Sequence, residues 1–378
     1  MPGLLPDVDP DGLLEYSVVY TDRSLNHMSK TFQQVMQDLS RMLKEVYGAH
    51  AAVIVPGSGT FAMEAVARQF ATGRKCLVIR NGWFSYRWSQ IFDMGDIPAE
   101  TLVLKARQVG AGTRAPFAPP PIDEVIATIR AEKPDLVFAP HVETSAGLML
   151  PDDYLQAVAR AVHEHGGLFV LDCIASGTRW VDMQATSVDV LISAPQKGWS
   201  GSPCCGLVML SEGARQQIGA TISSSFACDL KKWLEIMEAY ENGGHAYHAT
   251  MPTDGLRILR EVMSETLSYG LARSSDQLVQ LGRRVRTLLE ANGFASVAAA
   301  GFQAPGVVVS YTDDDEIRTG RAFAAHGLQI APGVPLQCDE PADFRTFRIG
   351  LFGLDKLSDA DRTVATLERV LNTLNNPA

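Results

Sequence analysis

The chain reads as an α/β protein with a large, mostly parallel sheet followed by a smaller α+β region. Three observations predict this. From residue 51 to residue 172, short apolar runs alternate with amphipathic helical stretches, which implies parallel strands covered on both faces. The length, 378 residues, exceeds one simple core. After Phe294, short strand-like pieces and helices succeed one another on the scale of a small α+β unit. The expected organisation is an N-terminal arm over 1–20, a large domain over 21–260, and a bridging helix with a small domain over 261–378.

From Met28 to Tyr47, the residues Phe32, Val35, Met36, Leu39, Met42, Leu43 and Val46 recur at helical spacing, and Gly48 ends the helix. Ala51 to Val55 is a short apolar strand. Pro56-Gly57-Ser58-Gly59-Thr60 follows, then a helix with Met63, Val66, Ala67 and Phe70 inward. A strand, a Gly-rich turn and a helix start present backbone N–H groups to a phosphate. The same residues also read as a plain turn with a serine cap. Strand-like Cys76–Ile79, Thr101–Leu104, Leu136–Ala139 and Leu168–Asp172 then alternate with helical Gly82–Met94, Ile122–Glu132 and Asp152–His165. In such sheets ligands gather at the carboxyl ends of the strands. Residues 211–220 and 229–242 look helical, and Pro252 opens a long helical region to Asn292 with a kink near Gly270. Strand-like Gly306–Ser310, helical Asp315–His326, strand-like pieces near Leu328–Ile330 and Phe344–Ile349, and a last helix Ser358–Leu374 complete the chain.

Composition narrows the class. Hydrophobic residues make up 46% and charged residues 20%, as in ordinary globular proteins. The net charge of −10 argues against nucleic acid or an anionic membrane as partner. The apolar runs are of strand length, so no membrane span is expected. Met1-Pro-Gly-Leu-Leu-Pro-Asp7 lacks the basic and apolar regions of a signal peptide. The six cysteines form no C-x-x-C pair and read as reduced thiols, so a cytoplasmic location is expected. His163-x-His165 and the single histidines form no metal-ligand pattern, so no metal is expected.

The residues that carry chemistry centre on Lys197. An apolar run from Val188 to Ile192 ends at Ser193-Ala-Pro-Gln196-Lys197-Gly198, and a second run, Gly206–Leu210, begins soon after. One lysine in a loop between two buried-type strands is a placed cation or a nucleophilic amine, or else an ordinary turn lysine. Upstream, the run Leu168–Asp172 ends in an acid. Near the C-terminus, Arg348 lies in Arg348-Ile349-Gly350-Leu351, and a planar guanidinium grips a carboxylate bidentately. Arg345, three residues earlier, points the other way on an extended chain.

Gln196-Lys197, Glu143-Thr144-Ser145-Ala146-Gly147 and Phe347-Arg348-Ile349-Gly350, in that family's order, resemble the class V aminotransferases. The alanine–glyoxylate and serine–pyruvate branch is the nearest in kind, and the resemblance runs from about residue 28 to the C-terminus. The family's Pro-Gly-Pro entry is not matched within residues 1–20.

The resemblance implies an aspartate-aminotransferase-like fold (PLP fold type I) with a seven-stranded-type sheet. It also implies pyridoxal 5'-phosphate (PLP) as cofactor and a homodimer with shared active sites. Lys197 would be the Schiff-base lysine and proton shuttle, and Asp172 would pair with the pyridinium nitrogen. Ile174 would pack on one ring face and Phe84 on the other, with Trp83 as the neighbour able to replace it. Ser58, Gly59, Thr60 and Gln196 would hold the phosphate, joined by the partner subunit's Tyr247 and the partner subunit's Thr250. Ser145 would sit near the ring hydroxyl, and Arg348 would take the substrate carboxylate.

The implied activity is amino transfer from an alanine- or serine-type donor to glyoxylate or pyruvate. One alternative is a PLP-dependent lyase or cysteine desulfurase, with Cys338 as the candidate nucleophile. Another is an aminotransferase for an aminophosphonate or a dicarboxylic amino acid; the latter would need a second cation such as Arg23 or Arg87. A non-catalytic binding protein would be expected to lack Lys197, Asp172 or Arg348, and all three are present.

Overall fold

Ala51–Pro56 (β1), Lys75–Arg80 (β2), Glu100–Lys105 (β3), Leu136–Pro140 (β4), Leu168–Asp172 (β5), Val190–Ser193 (β6) and Cys205–Leu210 (β7) form one sheet in a computed structural model that describes residues 13–375. Their spatial order is β1-β7-β6-β5-β4-β2-β3. Neighbours from β6 to β3 run parallel, and only β7 is antiparallel, to both β6 and β1. Strands β4 to β7 are buried along their whole length. That follows from helices on both faces, which is why these runs show no polar alternation.

The covering helices match the periodic segments. Lys30–Tyr47 (α1) starts at Ser29, whose hydroxyl accepts the Phe32 amide at 3.1 Å. It buries the predicted face from Phe32 to Val46. Gly59–Val66 (α2), Trp83–Gly95 (α3), Ile122–Glu132 (α4) and Asp152–His163 (α5) each follow a strand edge. Each fully buried Val, Leu or Phe in this core contributes about 1.5–3 kcal/mol. Leu230–Glu241 (α6) packs on β1 and α1.

Thr253–Tyr269 (α7) and Leu271–Ala291 (α8) are the predicted long helical region, broken at Gly270, where φ is 103°. A second core begins along α8. It joins Leu278, Leu281, Val285 and Leu289 to Phe323, Phe347 and, on Ala360–Asn375 (α9), Val370 and Leu371. Val307–Tyr311 (β8), Ala331–Pro332 (β9) and Thr346–Gly350 (β10) form its antiparallel sheet, in the order β8-β10-β9. The predicted helix over Asp315–His326 is two short pieces, Asp315–Arg318 and Arg321–Ala324. Gly320 separates them with a left-handed backbone.

Of the expected arm, residues 1–12 lie outside the described residues. Among residues 13–20, the Tyr20 hydroxyl donates to the Met251 carbonyl at 3.2 Å. No helix among the described residues is long and apolar enough to cross a membrane. Nor is any group of three or more His, Cys, Asp or Glu among them placed to hold a metal ion.

Candidate active site

The carboxyl ends of β2, β4, β5 and β6 and the start of α2 all open on one edge of the large sheet. The antiparallel register of β7, with Cys205 opposite Pro56 and Leu207 opposite Ser193, brings the end of β1 to that edge too.

Lys197 stands in the loop between β6 and β7. Trp199 anchors that loop. Its side chain is fully buried, edge-on to Tyr47 at 6.3 Å and 4.5 Å from Trp180 by ring centroids. The Tyr47 hydroxyl, at the end of α1, also bonds the Ser193 hydroxyl at 3.1 Å. Gly198 is required by close approach, because a Cβ there would lie 2.2 Å from the Gly177 carbonyl oxygen. The loop is therefore clamped from both sides. Lys197 Nζ lies 5.9 Å from the centroid of Phe84 and 5.4 Å from that of Phe352. Burial pushes its pKa down, Asp172 pulls it back up, and the Arg348 guanidinium adds to the lowering. The amine is thus biased towards its neutral, nucleophilic form.

Asp172 ends β5 and is buried. Its Oδ1 accepts the Ile174 amide at 2.9 Å, and no donor among the described residues reaches Oδ2. Burial raises its pKa to about 6, with the Ile174 bond and the charge of Lys197 opposing. Ile174 packs on Gly59, where an added Cβ would come within 2.6 Å of the Ile174 Cδ1. The Ser58 side chain makes no cap bond, so the first amides of α2 face the site without a side-chain acceptor.

Phe84 opens α3. Its amide donates to Glu143 Oε1 at 3.2 Å, and the Trp83 amide donates to the Ser145 hydroxyl at 2.9 Å. Arg348 reaches the same ring from the small sheet. Phe347 and Ile349 on β10 point into the second core, so period-two alternation turns Arg348 the other way. Its guanidinium carbon lies 5.6 Å from the Phe84 centroid, and its Nε donates to the Pro332 carbonyl at 2.9 Å.

No family model matches the chain. A 2-aminoethylphosphonate–pyruvate transaminase of Pseudomonas aeruginosa is 28% identical over 350 residues, covering 88% of this chain and 86% of that protein. The alanine–glyoxylate aminotransferase of Oryctolagus cuniculus is 25% identical over 366 residues, covering 92% and 86%. A subgroup IV aspartate aminotransferase structure from Thermus thermophilus superposes with a TM-score of 0.75 at 25% identity, over 92% of this chain and 93% of that one. The chain is a PLP-dependent transaminase, similar to these aminotransferases over most of its length.

In this aminotransferase the remaining predicted residues fall into two groups. Ser145 is inside, fully buried, with its hydroxyl on Glu143 Oε1 at 2.7 Å. Thr60 is inside as well, and its hydroxyl accepts from Arg87 Nη1 at 3.1 Å. Gln196 is exposed beside Lys197. Tyr247 and Thr250 bond each other at 3.2 Å on an exposed loop and reach none of the site residues within this chain. Arg345 lies on the surface, 3.6 Å from Asp315. Cys338 is buried, with its thiol on the Arg80 carbonyl at 3.3 Å and its pKa raised to about 12 by burial.

Two residues carry more of the aminotransferase site than the sequence suggested. Glu143 is fully buried and takes amides and hydroxyls from Phe84, Ser85 and Ser145. Arg87 lies one helical turn after Phe84, its guanidinium carbon 5.3 Å from that ring. The i, i+3 spacing of Phe84 and Arg87 was a usable signal. Nothing in the strand-end text Val142-Glu143 reveals a buried hub.

Proposed function

We propose that this site moves the amino group of a small amino acid to a small 2-oxo acid, with alanine or serine as donor and glyoxylate or pyruvate as acceptor. The observation that carries this is the convergence of Lys197, Arg87 and Arg348 on one ring, Phe84, with the charges of Lys197 and Arg87 also acting on the buried Asp172. The residues fit the cofactor. The open Oδ2 of Asp172 suits a protonated ring nitrogen, and Lys197 suits the covalent attachment. Ile174 and Phe84 suit the two ring faces, and Ser145 the ring hydroxyl. The uncapped start of α2 at Ser58, Gly59 and Thr60, with Gln196, suits the phosphate.

When bound, PLP supplies the electron sink for charge at the substrate α-carbon. The chain supplies the rest. Lys197 Nζ takes and returns the α-proton, a role that its lowered pKa favours. Arg348 grips the α-carboxylate and fixes the scissile bond relative to the ring. The exposed pair Tyr247 and Thr250 suits contribution to a second copy's phosphate site, so we read the active form as a homodimer.

A second reading is favoured by Arg87. A second guanidinium beside Phe84 suits a donor with a strongly acidic phosphonate, and relatives of that activity cover most of the chain. A donor panel separates the two. Alanine, serine and 2-aminoethylphosphonate are each offered with pyruvate or glyoxylate, and the products are read by mass. Turnover of alanine or serine with glyoxylate supports the first reading. Turnover confined to 2-aminoethylphosphonate replaces it with the second, and no turnover of any pair rejects both.

A further inference from the structure

Away from this site, the face of α8 carries a cleft of about 700 Å³. Asp276, Gln280, Arg283 and Arg286 line it at helical spacing, with Arg179 and Gln303 opposite. Three guanidiniums therefore meet one carboxylate, and none of the three has a carboxylate within ion-pair distance among the described residues.

Two of the three are also left incomplete by the protein. Arg286 is only 8% exposed; its Nη2 donates to the Ala304 carbonyl at 2.9 Å, while its Nε is buried without an acceptor. The Arg179 Nη1 donates to the Ser275 hydroxyl at 2.9 Å, and its Nε is likewise buried without an acceptor. A buried guanidinium without an anion carries a desolvation cost that a bound oxyanion offsets. The Gln280 amide adds a neutral donor to the lining, while the Gln303 amide nitrogen already donates to the Ala298 carbonyl at 3.5 Å.

We propose that this cleft binds a small polyvalent oxyanion, a phosphate ester or a di- or tricarboxylate, apart from the catalytic pocket. Through Arg179 the cleft also adjoins the segment that follows Asp172. Arg179 closes the segment after Asp172, where the Ser176 hydroxyl bonds His141 Nδ1 at 2.7 Å and the His141 amide donates to the Asp172 carbonyl at 2.8 Å. Gly177 in the same segment packs on Gly198, next to Lys197. An anion on Arg179 and Arg286 thus bears on the segment that backs Lys197.

The test uses the PLP-loaded enzyme, so that the cofactor occupies its own phosphate site. Thermal midpoints are titrated with citrate and with inorganic phosphate against chloride at matched ionic strength. The variants are Arg283→Met, which is exposed and outside the core, Arg286→Met, and Arg348→Met in the catalytic pocket. The expected result is a saturable rise in midpoint, with apparent affinity at least tenfold weaker in Arg283→Met and unchanged in Arg348→Met. The stronger of the two anions names the ligand class. A saturable rise that survives in Arg283→Met, that is lost in Arg348→Met, or that chloride reproduces would overturn the proposal. Arg286→Met, if it folds, should abolish the rise; Arg283→Met alone decides the matter if it does not.

Discussion

Ser145 donates twice to one oxygen of Glu143, from its hydroxyl at 2.7 Å and from its amide at 3.1 Å. The other oxygen of Glu143 takes the Ser85 hydroxyl at 2.7 Å and the Ser85 amide at 2.9 Å. One buried carboxylate therefore ties the turn after β4 to the first turn of α3, and so sets where Phe84 lies. Glu143→Gln loses charge-assisted bonds and places an amide NH₂ against donors. The expected cost is about 3 kcal/mol of stability. Weaker cofactor retention should accompany it, because Phe84 loses its amide anchor. Denaturant unfolding of the apoenzyme and equilibrium dialysis of PLP check the two effects separately.

The pH dependence of the apoenzyme should report Asp172. Its carboxyl is raised from 3.8 to about 6 by burial, so the folded chain favours the neutral form. That contribution is full below pH 3.8 and is lost as pH rises through about 6. The change across the window is on the order of 3 kcal/mol. Asp172→Asn has no proton to lose. Its stability relative to the wild-type apoenzyme should therefore increase from about pH 4 to about pH 7, by up to that amount. Loading with PLP should reverse the order, since the wild-type carboxylate then gains a cationic partner. Urea unfolding at several pH values, with and without PLP, measures both differences.

Arg348 and Arg87 should separate by substrate. If Arg348 grips the substrate carboxylate as proposed, Arg348→Met loses a charge-assisted bidentate contact, so kcat/KM should fall roughly 10- to 100-fold, with the cofactor spectrum retained. Removing its guanidinium also takes away one cause of the lowered Lys197 pKa, so the alkaline dependence of the spectrum should move to higher pH. Arg87→Met should lower turnover of 2-aminoethylphosphonate more than that of alanine if Arg87 meets the donor's acidic group. Equal losses on both donors would assign Arg87 to the cofactor end of the site, where it already bonds Thr60. Steady-state kinetics with the two donors decide it.

Lys197, Asp172 and Arg348 stood out as candidates because each stands where a regular apolar pattern stops or alternates, and the resemblance to the class V aminotransferases supplied their expected roles. Asp172 ends one buried strand, Lys197 follows another, and Arg348 lies between two core-facing residues of β10. The fold was legible for the same reason, since the strands between covering helices are continuous apolar runs. Glu143 was not. Its importance lies in hydrogen bonds to amides 58 and 59 residues away, and no periodicity encodes those. The split of Asp315–His326 was missed because Gly320 reads as one tolerated glycine in a helical pattern. Two of the cleft arginines, Arg283 and Arg286, lie on a helix whose charged face looks solvated in one dimension; only the packed loop that carries Arg179 turns it into a concave surface.

Cys338 distinguishes amino transfer from sulfur chemistry. A desulfurase needs a mobile thiolate, whereas this thiol is buried, bonded to Arg80 and held near pKa 12. Cys338→Ala should leave transamination within about twofold and cost about 1 kcal/mol of stability, as one lost buried sulfur and a weak bond would. Assays of keto-acid formation and of sulfide release on the same preparation settle which reaction depends on it.

The most direct test of the account is the visible absorbance of the purified protein with PLP, followed as an amino donor and then a 2-oxo acid are added, in the wild type and in Lys197→Ala. The account predicts a cofactor band in the wild type that fades with the donor and returns with the acceptor, and a different resting spectrum in Lys197→Ala. A wild-type protein that gains no band from added PLP, or a Lys197→Ala spectrum identical to the wild type, would contradict the assignment of Lys197 and the site built around it.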